Sequence, residues 1–170
     1  MQKKTLIILR HGQARNAGPS EHDHSRKLTP RGREEAMWAG EALADRNIIP
    51  DTVLCSTAIR TRETLAEVQV SFADKPNINY SERIYNASEN ELLNKITATQ
   101  EDVSRLMVVG HNPGLYQLAL SLAKEGDKQM HNNLQMEFPT CSLVVINFEG
   151  TWQEITHAHS KLALFLTPEK

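Results

Sequence analysis

In the stretch LIILRHG, residues 6–12, an apolar run stops at charged and small residues. Four consecutive apolar residues, 6–9, are typical of a strand buried on both faces of a parallel sheet. Arg10, His11 and Gly12 interrupt the run, so we predict that the strand ends in a turn at this point. A guanidinium and an imidazole are therefore expected at the carboxyl end of a buried strand.

Short apolar runs and helical patterns alternate along the rest of the chain. Further strands are predicted at residues 52–55, 106–109 and 143–148, and residues 151–157 are expected to pair antiparallel with the last of these. Helices are predicted after the capping residues Thr29, Ser56 and Ser88, and from residue 115 onward. This alternation predicts an α/β fold, a three-layer sandwich with a mostly parallel central sheet, in which residues 1–170 form a single domain.

Composition excludes several classes of function. The 170 residues carry a formal net charge of −2, which provides no positive surface for nucleic acid or an anionic membrane. Cys55 and Cys141 are too far apart for a zinc-binding spacing. Residues 1–10 lack the pattern of a signal peptide, and no apolar run approaches about 18 residues. We expect a cytoplasmic protein with no nucleic-acid or membrane partner.

Three segments rich in chemically active side chains fall at or just beyond the ends of predicted strands. They are residues 10–12, 56–60 and 110–111. Ligands of parallel sheets bind beyond the carboxyl ends of the strands. A phosphoryl group carries a charge of about −1.5 to −2, and arginine binds it with paired N–H donors. Arg10 and Arg60 are therefore the candidate phosphate-binding arginines.

The other side chains of these segments suit phosphoryl transfer. A neutral imidazole is a competent nucleophile toward phosphorus, and nearby cations favour that neutral form, so His11 is the candidate nucleophile. His111 can donate a hydrogen bond to the charge that develops on the oxygens, although it also fits a strand-end histidine bonded to backbone. Gly12 permits a tight turn that brings phosphate to the backbone. Ser56 can bind phosphate or cap the helix that carries Arg60. Taken by itself, Arg60 also fits a solvated helix residue.

Four motifs follow one another along the chain: LRHGQA at residues 9–14, LTPRG at 28–32, STAIR at 56–60 and GHNP at 110–113. Together they resemble the histidine phosphatase superfamily, which has the phosphoglycerate-mutase-like fold. The short chain and the GHNP form are similar to the SixA-type phosphohistidine phosphatase branch. This resemblance implies that His11 is the nucleophile and that Arg10, Arg60 and His111 form the phosphate pocket.

The resemblance also adds two candidates. Arg26 matches an arginine that reaches the phosphate in this branch, and it also fits a solvated loop residue. Glu82 lies in a segment similar to the one that bears the proton-donating glutamate of mutases and acid-type phosphatases, and it also fits a surface residue. Ala14 stands where mutases carry a hydroxyl residue, so mutase activity is not expected. Thr57 and Thr61 replace the family's usual proline and alanine, neither of which carries chemistry.

Two further patterns are interpreted as structural. His22, Asp23 and His24 have no third ligand at a metal-binding spacing and are interpreted as a polar loop, so no metal or cofactor is predicted. Cys55 and Arg60 are separated by one residue too few for a cysteine-phosphatase loop, so Cys55 is interpreted as a buried strand residue.

The sequence therefore predicts a phosphatase that forms a phosphohistidine on His11. Its expected substrate is phosphohistidine on a signalling protein. Two alternatives remain at this point, a broad-specificity phosphatase of small phosphate esters and a non-catalytic module that binds phosphoanions.

Overall fold

Strand β1, Lys3–Arg10, runs through the middle of the sheet in the computed structural model, which describes residues 2–169. Residues 6–9 of this strand have no solvent-exposed surface. Because successive side chains of a strand point to opposite faces, Leu6 and Ile8 join one core, while Ile7 and Leu9 join the other. The apolar run is thus buried on both faces of the sheet.

The other strands extend the sheet in the order β3-β2-β4-β1-β6-β7-β5. Their bounds are Thr52–Ser56 for β2, Asn77–Ser81 for β3, Arg105–Gly110 for β4, Glu125–Gly126 for β5, Leu143–Glu149 for β6 and Lys161–Leu166 for β7. Strands β1 to β4 are mutually parallel, whereas β6 is antiparallel to both of its neighbours. The predicted α/β fold with a mostly parallel sheet is confirmed.

Helices cover both faces of the sheet. Within residues 2–169 they are α1 at Pro30–Asp45, α2 at Ile59–Val68, α3 at Glu89–Thr97, α4 at Gly114–Leu122 and α5 at Lys128–Met136. Leu43 of α1 and Leu65 of α2 enter one core, and Leu92 of α3, Leu118 of α4 and Leu134 of α5 enter the other. Two helical layers are required because a parallel sheet is apolar on both faces. Among the described helices, none has the length and apolar character needed to cross a membrane.

Two predicted helix starts hold because capping side chains satisfy free backbone N–H groups. Thr29 Oγ1 accepts from the Gly32 N–H at 3.0 Å, just before α1. Ser88 and Glu91 form a reciprocal capping box at the start of α3. Ser56, in contrast, is the last residue of β2, and α2 begins after Ala58. Its hydroxyl therefore serves the site rather than opening the helix.

The strand predicted at residues 151–157 is wrong. A single 3-10 turn, Trp152–Glu154, occupies this position, and β7 is the strand that pairs antiparallel with β6. Trp152 and Ile155 are both fully buried. Residues three apart point to opposite faces of a strand but to the same side of a 3-10 turn, so this burial requires the turn. The exposed edge strand β3 and helix α5 were also not predicted from the sequence.

The carboxyl ends of β1, β2 and β4 meet at one edge of the sheet. Arg10 pairs in register with Gly110, and Cys55 pairs with Val109. Residues 10–12, 56–60 and 110–111 follow these pairs directly, so the strand pairing alone brings the three predicted segments together.

We expect Gly40→Ala to destabilise the protein, because α1 packs closely on α2 at this residue. A Cβ on Gly40 would overlap the Val68 carbonyl oxygen. Overpacking of this kind costs about 1–3 kcal/mol, which exceeds the roughly 1 kcal/mol that alanine gains in helix propensity. Gly18→Ala is the control, because its Cβ would approach only the Glu21 side chain, at 3.7 Å. Urea denaturation measures both changes, and a Gly40→Ala protein as stable as Gly18→Ala would contradict this packing.

Candidate active site

His11 follows β1 and is fixed through both its backbone and its ring. Its N–H donates to the Gly110 carbonyl at 3.2 Å, and its carbonyl accepts from the Cys141 N–H at 3.0 Å. Its ring Nδ1 lies 2.7 Å from the Gly12 carbonyl oxygen. A carbonyl oxygen can only accept, so Nδ1 carries the proton and Nε2 keeps its lone pair.

The surroundings of His11 keep the ring neutral. Burial lowers the pKa of His11 from 6.5 to about 4, and the positive charges of Arg60, Arg10 and Arg26 act in the same direction. The hydrogen bond to Gly12 opposes this shift without cancelling it. Near neutral pH the imidazole therefore has an unprotonated Nε2, which is the form required for nucleophilic attack.

Arg60, on the first turn of α2, connects His11 to a neighbouring loop. Its Nε lies 3.4 Å from His11 Nε2. On the opposite edge of the guanidinium, Nη1 donates to the Asp23 carbonyl at 2.8 Å and Nη2 to the Asp23 carboxylate at 3.1 Å. With 4% of its surface exposed, Arg60 is a preorganised cation rather than a solvated helix residue.

Arg10, the last residue of β1, supplies a second cation. Its Nη1 donates to the Phe138 carbonyl at 2.9 Å. Its buried Nε has no hydrogen-bond partner among residues 2–169. A buried donor without a partner costs free energy, and an anionic ligand in the adjoining cavity would relieve that cost.

His111 is oriented by Ser56. Its Nε2 lies 2.7 Å from Ser56 Oγ, which also accepts from the Ala58 N–H at 3.3 Å. When the serine hydroxyl donates to Nε2, the ring proton resides on Nδ1. That Nδ1 is buried and has no partner within the described chain. Burial, followed by the electrostatic effects of His11 and Arg60, lowers the pKa of His111 to about 3, so the ring is neutral.

Gly12 and Thr64 stabilise the turn behind His11. The Gly12 N–H donates to Thr64 Oγ1 at 3.0 Å. A Cβ on Gly12 would overlap the Gly32 carbonyl oxygen at the start of α1. The structure thus gives Gly12 a packing role, and its N–H is already used by Thr64.

A polar loop forms the other wall of the site. Asp23 begins a 3-10 turn, Asp23–Ser25, and its carboxylate accepts from Arg26, Arg60 and the Tyr85 hydroxyl. The Tyr85 hydrogen bond, followed by Arg26 and Arg60, holds the pKa of the Asp23 carboxyl well below its usual range. Arg26 donates from Nε to the Arg15 carbonyl at 2.8 Å. Asp23 is therefore ionised, and Arg26 remains at the edge of the site.

A cavity of about 470 Å³ lies between these groups. Its lining combines three arginines, two histidines and one carboxylate with small and amide side chains: Arg10, His11, Gln13, Ala14, Asp23, Arg26, Arg60, Asn86, His111, Asn112 and Thr140. Five of the eight predicted site residues line it, whereas Gly12 and Ser56 support it from behind. Across residues 2–169 there is no cluster of three or more His, Cys, Asp or Glu side chains placed to hold a metal ion.

Glu82 lies outside the cavity lining. It begins the 3-10 turn Glu82–Ile84 after β3, and its side chain is exposed. Tyr85 and Asn86, from the same segment, are the residues that reach the site. Cys55 is buried in β2, and burial raises the pKa of its thiol to about 12, which does not suit a nucleophile.

Asp23, Tyr85 and the Phe138 carbonyl are parts of the site that were not predicted from the sequence. Asp23 had a usable signal, because it precedes Arg26 by three residues, the spacing of a helical ion pair. Nothing in the local sequence indicates that Tyr85 or Phe138 would contact residues far away in the chain.

A family model of the histidine phosphatase superfamily, branch 1, matches residues 6–91. The chain belongs to the histidine phosphatase superfamily. Among curated relatives of this histidine phosphatase, an uncharacterized protein of Mycobacterium tuberculosis is 36% identical over 148 residues, covering 86% of this chain and 91% of the relative.

Two solved structures are similar over nearly the whole chain. The candidate phosphohistidine phosphatase SixA of Nakamurella multipartitia has a TM-score of 0.85 and 30% identity, covering 99% of this chain and 98% of its own. The corresponding protein of Agrobacterium tumefaciens has a TM-score of 0.82 and 33% identity, with coverages of 97% and 98%. Both likenesses confirm the predicted resemblance to the SixA-type branch of this phosphatase superfamily.

We expect Arg60→Ala to reduce turnover more than Arg26→Ala. Arg60 is buried beside His11, and removing a preorganised donor typically costs about 10²–10³ in rate. Arg26 retains 25% side-chain exposure and is partly screened by solvent, so its loss should be smaller. Steady-state hydrolysis of an aryl phosphate measures both variants. Arg33→Ala, an exposed α1 residue paired with Glu63 and Glu67, is the control, and equal losses at positions 60 and 26 would contradict this ranking.

Proposed function

We propose that this phosphatase hydrolyses phosphohistidine on a protein through a phosphoryl intermediate on Nε2 of His11. The observation that carries the proposal is the contact between His11 Nδ1 and the Gly12 carbonyl oxygen, at 2.7 Å. This contact leaves the lone pair on Nε2, beside Arg60 Nε. A neutral nucleophile that faces fixed cations is suited to attack an anionic phosphoryl group.

In the first step the Nε2 lone pair attacks phosphorus in line with the leaving group. A bond forms between Nε2 and phosphorus, and the bond from phosphorus to the departing atom breaks, with its electron pair remaining on that atom. Arg10 and Arg60 donate to the non-bridging oxygens, as does the Nδ1–H of His111. Arg60 and His111 are buried beside the cavity, and Arg10 is half-buried with its Nε shielded from solvent, before the substrate arrives, so little reorganisation is needed.

In the second step water attacks the phosphorus of the intermediate. The bond to Nε2 breaks, its electron pair returns to His11, and phosphate leaves with the proton from water passing to solvent or to phosphate. The proton stays on Nδ1, hydrogen-bonded to the Gly12 carbonyl oxygen, throughout both steps, so the ring returns to its starting tautomer.

The substrate class is inferred from the groups that can supply a proton. An alkoxide leaving group needs a general acid, but Glu82 is exposed outside the cavity lining. Asp23 is the one carboxyl group among the described lining residues, and its lowered pKa keeps it ionised. A phosphoimidazolium, by contrast, carries its own second N–H and departs as neutral imidazole. A cavity without a protonated carboxyl group in its described lining therefore favours phosphohistidine over alkyl esters as the substrate.

We expect His11→Asn to abolish hydrolysis of a phosphohistidine peptide, with a loss on the order of 10³ or more, because the amide cannot form the phosphoryl intermediate. Circular dichroism should show an intact fold, since His11 follows the strand rather than filling the core. Phosphate release measures the loss, and a folded variant that retains a substantial rate would contradict the mechanism. A wild-type protein that binds orthophosphate but releases none from any substrate would instead be a binding module.

We expect Glu82→Gln to have little effect on phosphohistidine hydrolysis, because the departing imidazole needs no proton from the enzyme. If the protein were an ester phosphatase with Glu82 as its acid, the change would slow alkyl ester turnover by about 10²–10⁴. Parallel kcat/KM measurements on a phosphohistidine peptide and an alkyl phosphate separate the two cases. Efficient wild-type hydrolysis of the alkyl phosphate, lost in Glu82→Gln, would assign the protein to the ester phosphatases.

A further inference from the structure

Asp23 carries the negative charge of an otherwise cationic cavity. Three arginines line the cavity, and Asp23 is the acidic member of the lining that the structure describes. Its side chain is 48% exposed, so it lies at the mouth rather than the floor. His11 and Arg60, at 8% and 4% exposure, form the floor. The cavity therefore has a cationic interior, and its mouth holds the Asp23 carboxylate, which pairs with Arg26.

The carboxylate is held firmly yet keeps capacity for a ligand. Oδ1 accepts from Arg26 Nη1 at 3.0 Å, and Oδ2 accepts from Arg60 Nη2 at 3.1 Å and from the Tyr85 hydroxyl. An ionised carboxylate offers about four lone-pair positions, so three donors leave one. Tyr85 is itself fixed, because its ring lies edge-on to His24 and His111. A donor that enters the cavity can therefore bond to Asp23 without displacing these partners.

The direction of phosphoryl transfer places the leaving group near this carboxylate. Arg60 contacts His11 through Nε and Asp23 through its Nη atoms, so one guanidinium separates the nucleophile from the acid. In-line attack requires the leaving group to lie on the side of phosphorus opposite Nε2. Since His11 is on the floor, that side is the mouth, where Asp23 lies.

We propose that Asp23 is a specificity-determining residue that accepts a hydrogen bond from the free N–H of the departing imidazole. The inference rests on the proposed function and extends it to the recognition of the leaving group. The substrate that makes this hydrogen bond is a phosphoimidazolium, in which one ring nitrogen carries the phosphoryl group and the other carries a proton. A carboxylate stabilises this cationic ring, whereas it repels a leaving group that bears negative charge.

The transfer then balances without a general acid. The Nε2–P bond of His11 forms while the N–P bond of the substrate breaks, and its electron pair stays on the substrate nitrogen. The substrate ring keeps its proton on the other nitrogen, facing Asp23, and leaves neutral. His11 keeps the proton on Nδ1, which donates it to the Gly12 carbonyl oxygen, and becomes the phosphoimidazolium. Positive charge moves from one ring to the other, and Asp23 remains ionised throughout.

A purely positioning role for Asp23 predicts a different result. If the carboxylate only held Arg60 and Arg26 in place, its loss would weaken phosphoryl binding for every substrate alike. An aryl phosphate such as 4-nitrophenyl phosphate reports that shared effect, because its phenolate departs as an anion and needs no proton. The ratio of kcat/KM values for a phosphohistidine peptide and 4-nitrophenyl phosphate therefore isolates recognition of the leaving group.

The test compares Asp23→Asn, Asp23→Ser and wild type on both substrates. Hydrogen bonds to charged groups contribute enough to change rates by about ten- to a hundredfold, so we expect the peptide-to-aryl ratio to fall by at least about tenfold in both variants. Asp74→Asn, which makes the same charge change at an exposed loop position, should leave the ratio unchanged. Thermal unfolding of each variant checks that the fold is retained.

The other possible outcomes refute either the inference about Asp23 or the proposed function. Equal losses on both substrates would make Asp23 a positioning residue and would refute the inference while leaving the proposed function intact. Gains on both substrates would make it an internal competitor of the phosphoryl group, which also refutes the inference. A wild-type protein that turns over 4-nitrophenyl phosphate but not the peptide would refute the proposed function itself, independently of the variants.

Discussion

The hydrogen bond from His11 Nδ1 to the Gly12 carbonyl oxygen is the interaction on which the whole site depends. It fixes the tautomer of the ring, and thereby places the lone pair on Nε2, where Arg60 approaches at 3.4 Å. In the opposite tautomer the proton would be on Nε2 and would point at the phosphoryl group. The lone pair of Nδ1 would then face the Gly12 carbonyl oxygen, which is also an acceptor. Burial and the nearby arginines then lower the pKa of His11 and keep the ring neutral. The imidazolium form, in which a proton would occupy the Nε2 lone pair, is therefore disfavoured.

The sheet supplies the rigidity that this chemistry needs. Arg10 and His11 are tied to β4 and to the segment before β6 through backbone hydrogen bonds, and Ser56, at the end of β2, orients His111. Phosphoryl transfer depends mostly on positioning and fixed charge. Side chains at the ends of fully buried parallel strands provide both, because such strands tolerate little movement.

Sequence patterns predicted the parts of the fold and site that depend on local order. The apolar run at residues 6–9 and the motifs at strand ends specify the central strands and the cationic floor, because buried parallel strands are continuous in sequence and their ends converge. The turn at Trp152 was misjudged because the preceding Glu149 and Gly150 suggested a hairpin that would pair residues 151–157 with β6. The burial of both Trp152 and Ile155, which favours the turn, is known only from the packing. Asp23 was interpreted as loop because its partners Arg60 and Tyr85 lie 37 and 62 residues away. Contacts that join distant loops leave no periodicity to detect.

Glu82 shows the limit of arguing from a motif. Its segment resembles one that bears a proton donor in related enzymes, yet in this chain the same segment brings Tyr85 and Asn86 to the site and leaves Glu82 in solvent. The most direct test of the central claim is to mix the protein with a phosphohistidine peptide, quench within milliseconds in base, and locate the protein-bound phosphate by phosphorus-31 NMR and peptide mapping. We predict an acid-labile, base-stable phosphate on Nε2 of His11 that forms and decays at the rate of turnover. Phosphate on Nδ1, on another residue, or absent from the protein during turnover would contradict it.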